Sequence, residues 1–342
     1  MASRKVRLEW VFLMGFAILP LLDALLPQNY RIADSFRTIF IFAVLGLSVN
    51  LITGYTGLLN LGAAGFMAIG SYTFAILTCD IYPFQCGFLL ALALSALMGF
   101  GAGILLGFPT LRLRGDYLAI VTLGFGEIVQ NSLRNLETIT KGTQGINPLP
   151  APAIFGLTLS QDSYLPSYFL FLIILALAVF VIGNLERSPV GRSWMAVRED
   201  ELAARAMGVD VAKAKLLSFA FGAALAAVSG ALWASFLGSS GEPGNYDFQV
   251  SIIALCIVIV GGMGNISGVL LGSLIMVGFN SIVLVKISEA LARMGIQSSG
   301  SVFFSPNNWK FMIFGLALVL MMRYRPEGLL SSKRIRSELQ RS

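Results

Sequence analysis

The sequence of 342 residues contains no histidine. That absence removes imidazole metal sites, Ser-His-Asp triads and histidine proton relays. There are three cysteines, too few for a four-thiolate metal site, so neither a metal nor a cofactor is expected. No G-x-x-x-x-G-K-[ST] phosphate loop occurs, so the chain is not expected to hydrolyse ATP by that route. No pair of intramembrane aspartates is present either, and without histidine the zinc version of an intramembrane protease is excluded. The chain therefore reads as a non-enzyme. Charge is scarce: 12% of residues are Asp, Glu, Lys or Arg, against about 25% in soluble domains.

What is present is apolar. Hydrophobic residues make up 56% of the chain, and 36 positions are glycine, a residue that lets membrane helices approach closely. Runs long enough to cross or nearly cross a bilayer fall near 9–26, 38–53, 62–78, 87–108, 116–134, 168–184, 216–237, 248–260, 266–286 and 309–323. The expected fold is an all-α polytopic integral membrane protein with about 8–10 transmembrane helices. Some of these runs are short enough to be broken or re-entrant. The first run, behind Arg4, Lys5 and Arg7, has the look of a signal peptide. No small-x-small cleavage site follows it, so a retained first span is expected.

The formal net charge of +6 does not point to nucleic acid, because the basic residues are distributed by loop. Arg4, Lys5 and Arg7 precede the first run. Arg112 and Arg114 lie between the fourth and fifth. Arg187, Arg192, Arg198, Arg205, Lys213 and Lys215 follow the sixth, and Arg323, Arg325, Lys333, Arg334, Arg336 and Arg341 form the tail. With ten crossings all four clusters fall on one side, which by the positive-inside rule is the cytoplasm. Arg31 and Arg37 fall outside these clusters, partly balanced by Asp34. The expectation is a bacterial inner-membrane, multi-pass protein with both termini cytoplasmic. Cys79 and Cys86 then share one external turn. They stand either as a disulfide or as two unpaired thiols, and Cys256 is expected to be a buried small apolar residue.

Two glycine-rich breaks interrupt the runs: Gly54-Tyr55-Thr56-Gly57-Leu58-Leu59-Asn60-Leu61-Gly62 and Gly261-Gly262-Met263-Gly264-Asn265-Ile266-Ser267-Gly268. Unwound backbone at membrane depth survives only where protein or a cavity covers it. Both breaks read equally as plain turns, and the span count puts both on the loop-bearing side. Glu127 is the one acid well inside an apolar run. It lies eleven residues beyond Asp116, or roughly 16 Å along a helix. An ionisable group there faces a path or a partner, or is satisfied by neighbouring helices or by Arg134. Gln130 and Asn131 follow it.

Between the sixth and seventh runs lies a polar, helix-forming island, residues 186–215. Glu199, Asp200 and Glu201 open a helix, where negative charge suits the dipole. Ala203 and Ala204 offer a low-profile surface that can enter a groove. Arg198 and Arg205 supply charge at its rim, and Gly208 is a natural stop. A structured polar loop in an oily protein usually docks something, and the chain reads as one membrane domain over 1–342 with this loop, residues 186–215, inside it.

At this point a family resemblance emerges. Leu111-Arg112-Leu113-Arg114-Gly115-Asp116-Tyr117-Leu118-Ala119-Ile120-Val121-Thr122-Leu123-Gly124-Phe125-Gly126-Glu127-Ile128 resembles the hallmark of LivM-type permeases, inner-membrane subunits of branched-chain amino acid ABC transporters. Gly54-Tyr55-Thr56-Gly57 with Leu61-Gly62, Gly191-Arg192 through Gly208, Gly261-Gly262-Met263-Gly264 and Arg325-Pro326-Glu327-Gly328-Leu329 are similar to further family stretches. Two departures stand out. Asn60-Leu61-Gly62-Ala63-Ala64 replaces a segment that often carries Leu-Gly-His-Ala. The coupling motif E-A-A-x-x-x-G keeps its alanines and glycine, with the acid one place early at Glu201.

The resemblance implies solute import driven by two cytoplasmic ATPase subunits that grip Arg198, Glu199, Glu201, Ala203, Ala204, Arg205 and Gly208. It implies a second, LivH-like permease sharing the pathway, a periplasmic substrate-binding protein outside, membrane lipid around, and no nucleic acid. Tyr55, Asn60, Glu127, Gln130 and Asn131 are expected to face the substrate path. The alternatives are the same architecture carrying urea or short-chain amides, a stand-alone secondary transporter or channel, and a purely structural assembly subunit.

Overall fold

The computed structural model describes residues 3–24, 33–110, 113, 115–154, 157–158, 164–293, 306–325 and 327–330. Arg31, Arg112, Arg114, Pro326, Lys333, Arg334, Arg336 and Arg341, used in the sequence reading, lie outside them, as do the side chains of Arg4, Lys5 and Arg7. The helices, in chain order, are α1 (Ser3–Ala24), α2 (Ala33–Val49), α3 (Ala63–Thr78), α4 (Phe88–Thr110), α5 (Asp116–Asn135), α6 (Glu137–Thr140) and α7 (Tyr164–Arg187). They continue as α8 (Pro189–Glu199), α9 (Glu201–Ala206), α10 (Val211–Leu237), α11 (Phe248–Gly261), α12 (Ile266–Gly278), α13 (Leu284–Arg293) and α14 (Pro306–Tyr324). Each apolar run of the sequence falls on helical chain. Among the described residues, six helical stretches are long and apolar enough to cross a bilayer alone: Asp34–Gly54, Phe88–Thr110, Leu165–Arg187, Val211–Leu237, Pro243–Gly261 and Ile266–Glu289. The polytopic all-α expectation therefore holds. Strand pairing among the described residues is one short antiparallel pair, β1 (Ala153–Ile154) with β2 (Leu157–Thr158), in the connection between α6 and α7.

Two helices form the interior. α2 is apolar on all sides, which a helix tolerates only when it is surrounded, and Phe40, Ile41, Val44, Leu45 and Leu47 are all fully buried. α10 is built largely of Ala, Gly and Ser and packs against α2, α3 and α4. In lipid the hydrophobic effect does not drive helices together, so dispersion across close contacts must do so. The α3–α10 crossing shows how close. A Cβ on Gly230 would sit 1.8 Å from the Met67 carbonyl oxygen, and one on Gly70 would sit 2.0 Å from that of Ala227. Any side chain at either position forces the two backbones apart.

The periphery is the reverse. Leu97, Leu105 and Phe108 on α4, Ile173 and Leu177 on α7, and Met312 and Val319 on α14 are all exposed. These are the faces a bilayer would cover.

Cys79 and Cys86 are both free thiols, so the disulfide alternative is set aside. Their sulfurs engage different carbonyls instead, Cys79 that of Pro148 at 3.3 Å and Cys86 that of Phe84 at 3.6 Å. Cys256 is fully buried on α11, as expected of a small apolar residue.

Candidate functional site

The middle of the polar island folds as two short helices between α7 and α10, each started by a side-chain cap. Ser188 caps α8: its hydroxyl accepts the Gly191 N–H at 3.2 Å, and Pro189 takes the first helical position, where no N–H is needed. Trp194 is 1% exposed and its indole N–H donates to the Ala214 carbonyl at 2.8 Å, which fastens α8 to α10. α8 runs through Glu199, so Glu199 ends one helix rather than opening the next. Asp200 opens α9, its carboxylate accepting the N–H groups of Leu202 at 2.8 Å and Ala203 at 3.0 Å.

α9 ends in a Schellman arrangement. The Val209 N–H returns to the Ala204 carbonyl and the Gly208 N–H to that of Arg205, both at 3.0 Å. Gly208 holds φ +84°, the left-handed conformation in which a glycine has no Cβ penalty. Asp210 then caps α10 by accepting the Lys213 N–H at 3.0 Å. That backbone hydrogen bond, helped by the Lys213 side chain, holds the Asp210 carboxyl below the usual carboxylate range.

The structure corrects two expectations, one for Ala204 on α9 and one for Arg198 on α8. Ala204 is 4% exposed and faces the bundle, so it is not part of the offered surface. The outward face is Ala203 with Leu202, Arg205, Ala206 and Met207, and Leu202 and Met207 are 67% and 85% exposed. Arg205 is on the rim as expected, 3.6 Å from Glu201. Arg198 is not: it is half-buried, and its guanidinium donates to the Gly54 carbonyl inside the first glycine break. Glu201 points back toward the bundle and pairs with Lys215 at 3.0 Å.

The two glycine breaks meet at the end of the bundle that carries α8 and α9. α2 continues into a π-helical stretch, Asn50–Gly54. The Gly264 N–H donates to Asn50 Oδ1 at 2.7 Å, and a Cβ on Gly264 would lie 3.1 Å from the Gly54 carbonyl oxygen and 3.4 Å from Arg198 Nη1. The segment after α14 closes the same node. Leu329 and Leu330 donate their N–H groups to the carbonyls of Val260 (2.9 Å) and Gly261 (3.0 Å). Asn265 Nδ2 donates to the Leu330 carbonyl at 2.6 Å.

Beyond Thr56 the chain is not helical until Ala63, and side chains supply the backbone partners the helix would have. Thr122 Oγ1 accepts the Leu61 N–H at 3.0 Å, and Ser251 Oγ accepts the Ala64 N–H at 2.9 Å. Asn60 Oδ1 accepts the Gly62 N–H at 2.9 Å.

The five expected path residues separate into two groups. Tyr55, Asn60 and Gln130 are buried and turned to internal hydrogen bonds. Tyr55 donates its hydroxyl proton to Glu186 at 3.2 Å, and Gln130 Nε2 donates to the Gly244 carbonyl at 3.3 Å. Asn60 closes the turn just described. None of these three presents a polar group at the surface of this chain. Glu127 and Asn131 do: they lie four residues apart on one exposed face of α5, together with Tyr117, Ile120 and Ile128. Glu127 makes no hydrogen bond or ion pair among the described residues, Arg134 included.

Thr122, Ser251, Asn50 and Glu186 hold the breaks and escape a sequence reading. Ser and Thr are too frequent in membrane helices to be singled out. Asn50 carried a signal, an amide in an apolar run four residues before the first glycine of the break.

A family model described as "Branched-chain amino acid transport system / permease component" matches residues 31–322. The chain is 40% identical over 315 residues to the high-affinity branched-chain amino acid transport system permease protein LivM of Salmonella typhimurium, covering 86% of this chain and 68% of that one. The Escherichia coli K12 LivM protein gives the same figures, 40% over 315 residues, 86% and 68%. A probable LivM permease of Methanocaldococcus jannaschii is 26% identical over 325 residues, 86% of this chain and 92% of its own length. No solved structure matches the chain. With the family model spanning residues 31–322 and 40% identity along most of the chain, the protein belongs to the branched-chain amino acid transport system permease component family.

Proposed function

We propose that this chain is one permease subunit of an ATP-driven ABC importer in a bacterial inner membrane, and that it carries branched-chain amino acids across in company with a second, LivH-like permease. The observation that carries the reading is the outward face of α9. Leu202, Ala203, Ala206 and Met207 form an apolar surface on a helix fixed at its start by Asp200, at its end by Gly208 and underneath by Glu201–Lys215. Exposed apolar side chains on a rigid, polar, non-spanning loop mark a protein interface. Two cytoplasmic ATPase subunits supply the partners, one on this loop and one on its counterpart. The loop side, with both termini, is then the cytoplasm, and a periplasmic binding protein delivers cargo to the opposite end. Hydrolysis resides on the ATPase subunits, and this chain contributes motion and half of the pathway.

The exposed face of α5 is the proposed path surface. A carboxylate at membrane depth is costly against lipid, so the Glu127–Asn131 face borders either the second permease or the water-lined path between the two. Tyr55, Asn60 and Gln130 support that path from behind, by holding the first break and the Gly244 turn in place.

The test is reconstitution of the assembled complex in proteoliposomes with its binding protein. ATPase stimulation and uptake are measured against leucine, isoleucine, valine, other amino acids and urea. Stimulation and uptake by the three branched-chain amino acids support the reading. Response to urea or short-chain amides alone transfers the cargo to the amide-importing relatives. Uptake with residues 186–215 deleted and no nucleotide present rejects the ATP-driven mechanism.

A further inference from the structure

Arg198 sits in the loop the ATPase is proposed to grip, yet it points the other way. Its guanidinium donates to the Gly54 carbonyl, its Cγ lies 3.1 Å from where a Cβ on Gly57 would be, and its Nη1 lies 3.4 Å from that position on Gly264. One side chain therefore touches both glycine breaks. The breaks also hold each other, through the Gly264 N–H on Asn50. Gly264 has φ +70°, so both its backbone conformation and its surroundings select glycine.

The stretch under Arg198 is under-satisfied. Asn50–Gly54 is π-helical, a form found mostly as short bulges at functional positions. Within it, Asn50 Nδ2 and Thr53 Oγ1 are buried with no hydrogen-bond partner. Buried unpaired polar groups disfavour the state that contains them. Two within one five-residue stretch that has a surplus residue in its turn mark a segment able to exchange this arrangement for another. The unwound chain that follows, Leu58–Gly62, leads directly to α3 and to Thr122 on the path-bearing helix α5.

We propose that Arg198 is the positioning residue through which movement of the α8–α9 loop reaches the two glycine breaks, and that the breaks move together as one gate on the loop side of the path. The proposal rests on the ATP-driven reading above. When the loop shifts, Arg198 releases or re-seats the Gly54 carbonyl. The π stretch rewinds, and the Gly264 turn follows through Asn50. The outward charge of Arg205 has no part in this.

The experiment uses the full complex in proteoliposomes and reads leucine uptake per ATP hydrolysed, with ATPase attachment measured separately. R198A is expected to leave attachment and basal hydrolysis within about twofold, while uptake per ATP falls about tenfold or more. R198K, which keeps one donor for the carbonyl but not the planar fork, is expected to recover part of that ratio. G264A disturbs the other break, where its added Cβ meets the Gly54 carbonyl oxygen at 3.1 Å and Arg198 Nη1 at 3.4 Å; it is expected to show the same uncoupling, and R198A/G264A should be no worse than the poorer single variant.

A wild-type ratio in R198A, or losses that multiply in the double variant, overturns the proposal. If R198A does not assemble, R198K and G264A decide: wild-type coupling in both overturns it, and reduced coupling with intact attachment supports it. Failure of the underlying reading is distinguishable, because wild-type complex would then move leucine without nucleotide.

Discussion

Lys215 and Glu201 form an ion pair at 3.0 Å in which the lysine side chain is 5% exposed and the carboxylate 23%. The pair joins the second turn of α10 to the first residue of α9, so it holds the loop against the bundle. Removing the lysine takes the 3.0 Å partner from a carboxylate that is only 23% exposed. K215A is expected to lower the local stability of α9 by about 2 kcal/mol, between the value of a charged hydrogen bond and that of a fully buried pair. Arg205, also on Glu201 but 64% exposed, should matter by at most about 0.5 kcal/mol when replaced by alanine. Amide exchange of the α9 residues measures both. Equal protection in K215A and wild type would show that the pair does not hold the loop.

The two alanines of the coupling motif should behave oppositely. Ala204 is buried under α9 and Ala203 is on its exposed face. A204D places a carboxylate among apolar groups and is expected to unfold the loop, seen as lost exchange protection at Val209, whose N–H bonds the Ala204 carbonyl. M207D alters an 85% exposed residue. It should keep the protection and weaken ATPase attachment about tenfold or more, as loss of an interface anchor does. Co-purification of the ATPase with each variant separates the cases, and normal attachment in M207D would remove this face as the docking surface.

That contrast also shows where the sequence was legible. The spans could be read because lipid requires long apolar runs. Gly208 could be read because a glycine after a polar helix has one common use. The phase of a six-residue helix could not: Ala203 and Ala204 are adjacent, and one step of about 100° decides which is covered. Arg198 on α8 reads as a rim residue from the sequence because an arginine in a polar loop has enough reach to point either way. Asn60 and Gln130 show a different limit. A polar residue that closes a turn and one that faces a path have the same local sequence, and only their partners, Gly62 and Gly244, separate them. Glu127 was the easiest to single out because it is the one acid deep in its run.

Gly208 gives a conformational test free of packing. Nothing lies within 4 Å of where its Cβ would be, and φ is +84°. G208A is expected to cost about 1 kcal/mol from the left-handed backbone alone, and G208N less, because Asn tolerates that region. Thermal unfolding of the solubilised complex, together with exchange at Gly208 and Val209, checks the order. An alanine variant as stable as wild type would mean the helix stop does not depend on glycine.

Acid should loosen the start of α10. The folded Asp210 carboxyl is lowered, chiefly by the Lys213 N–H it accepts, so its contribution is fully present above the unfolded value of about 3.9 and is lost as pH falls through the folded one. Between about pH 5 and pH 3, the protection of the Lys213 amide relative to its intrinsic exchange rate at each pH should fall in wild type. In D210N, which caps without ionising, the same amide should respond less. Equal acid response in the two proteins would exclude this cap as the titrating group.

Glu127 tests the path itself. Its carboxylate stands on an open face of α5 one turn from Asn131, with no partner among the described residues. E127Q removes the charge at nearly constant shape. It should leave assembly and ATPase attachment unchanged while reducing uptake about tenfold, through interactions worth roughly 1.4 kcal/mol. Q130A is expected to act differently, by freeing the Gly244 carbonyl that Gln130 holds, so thermal stability falls together with uptake. Measuring uptake against leucine concentration beside a melting curve distinguishes a path residue from a support. If E127Q transports with unaltered kinetics, the exposed face of α5 does not border the cargo, and the carboxylate must instead contact the second permease.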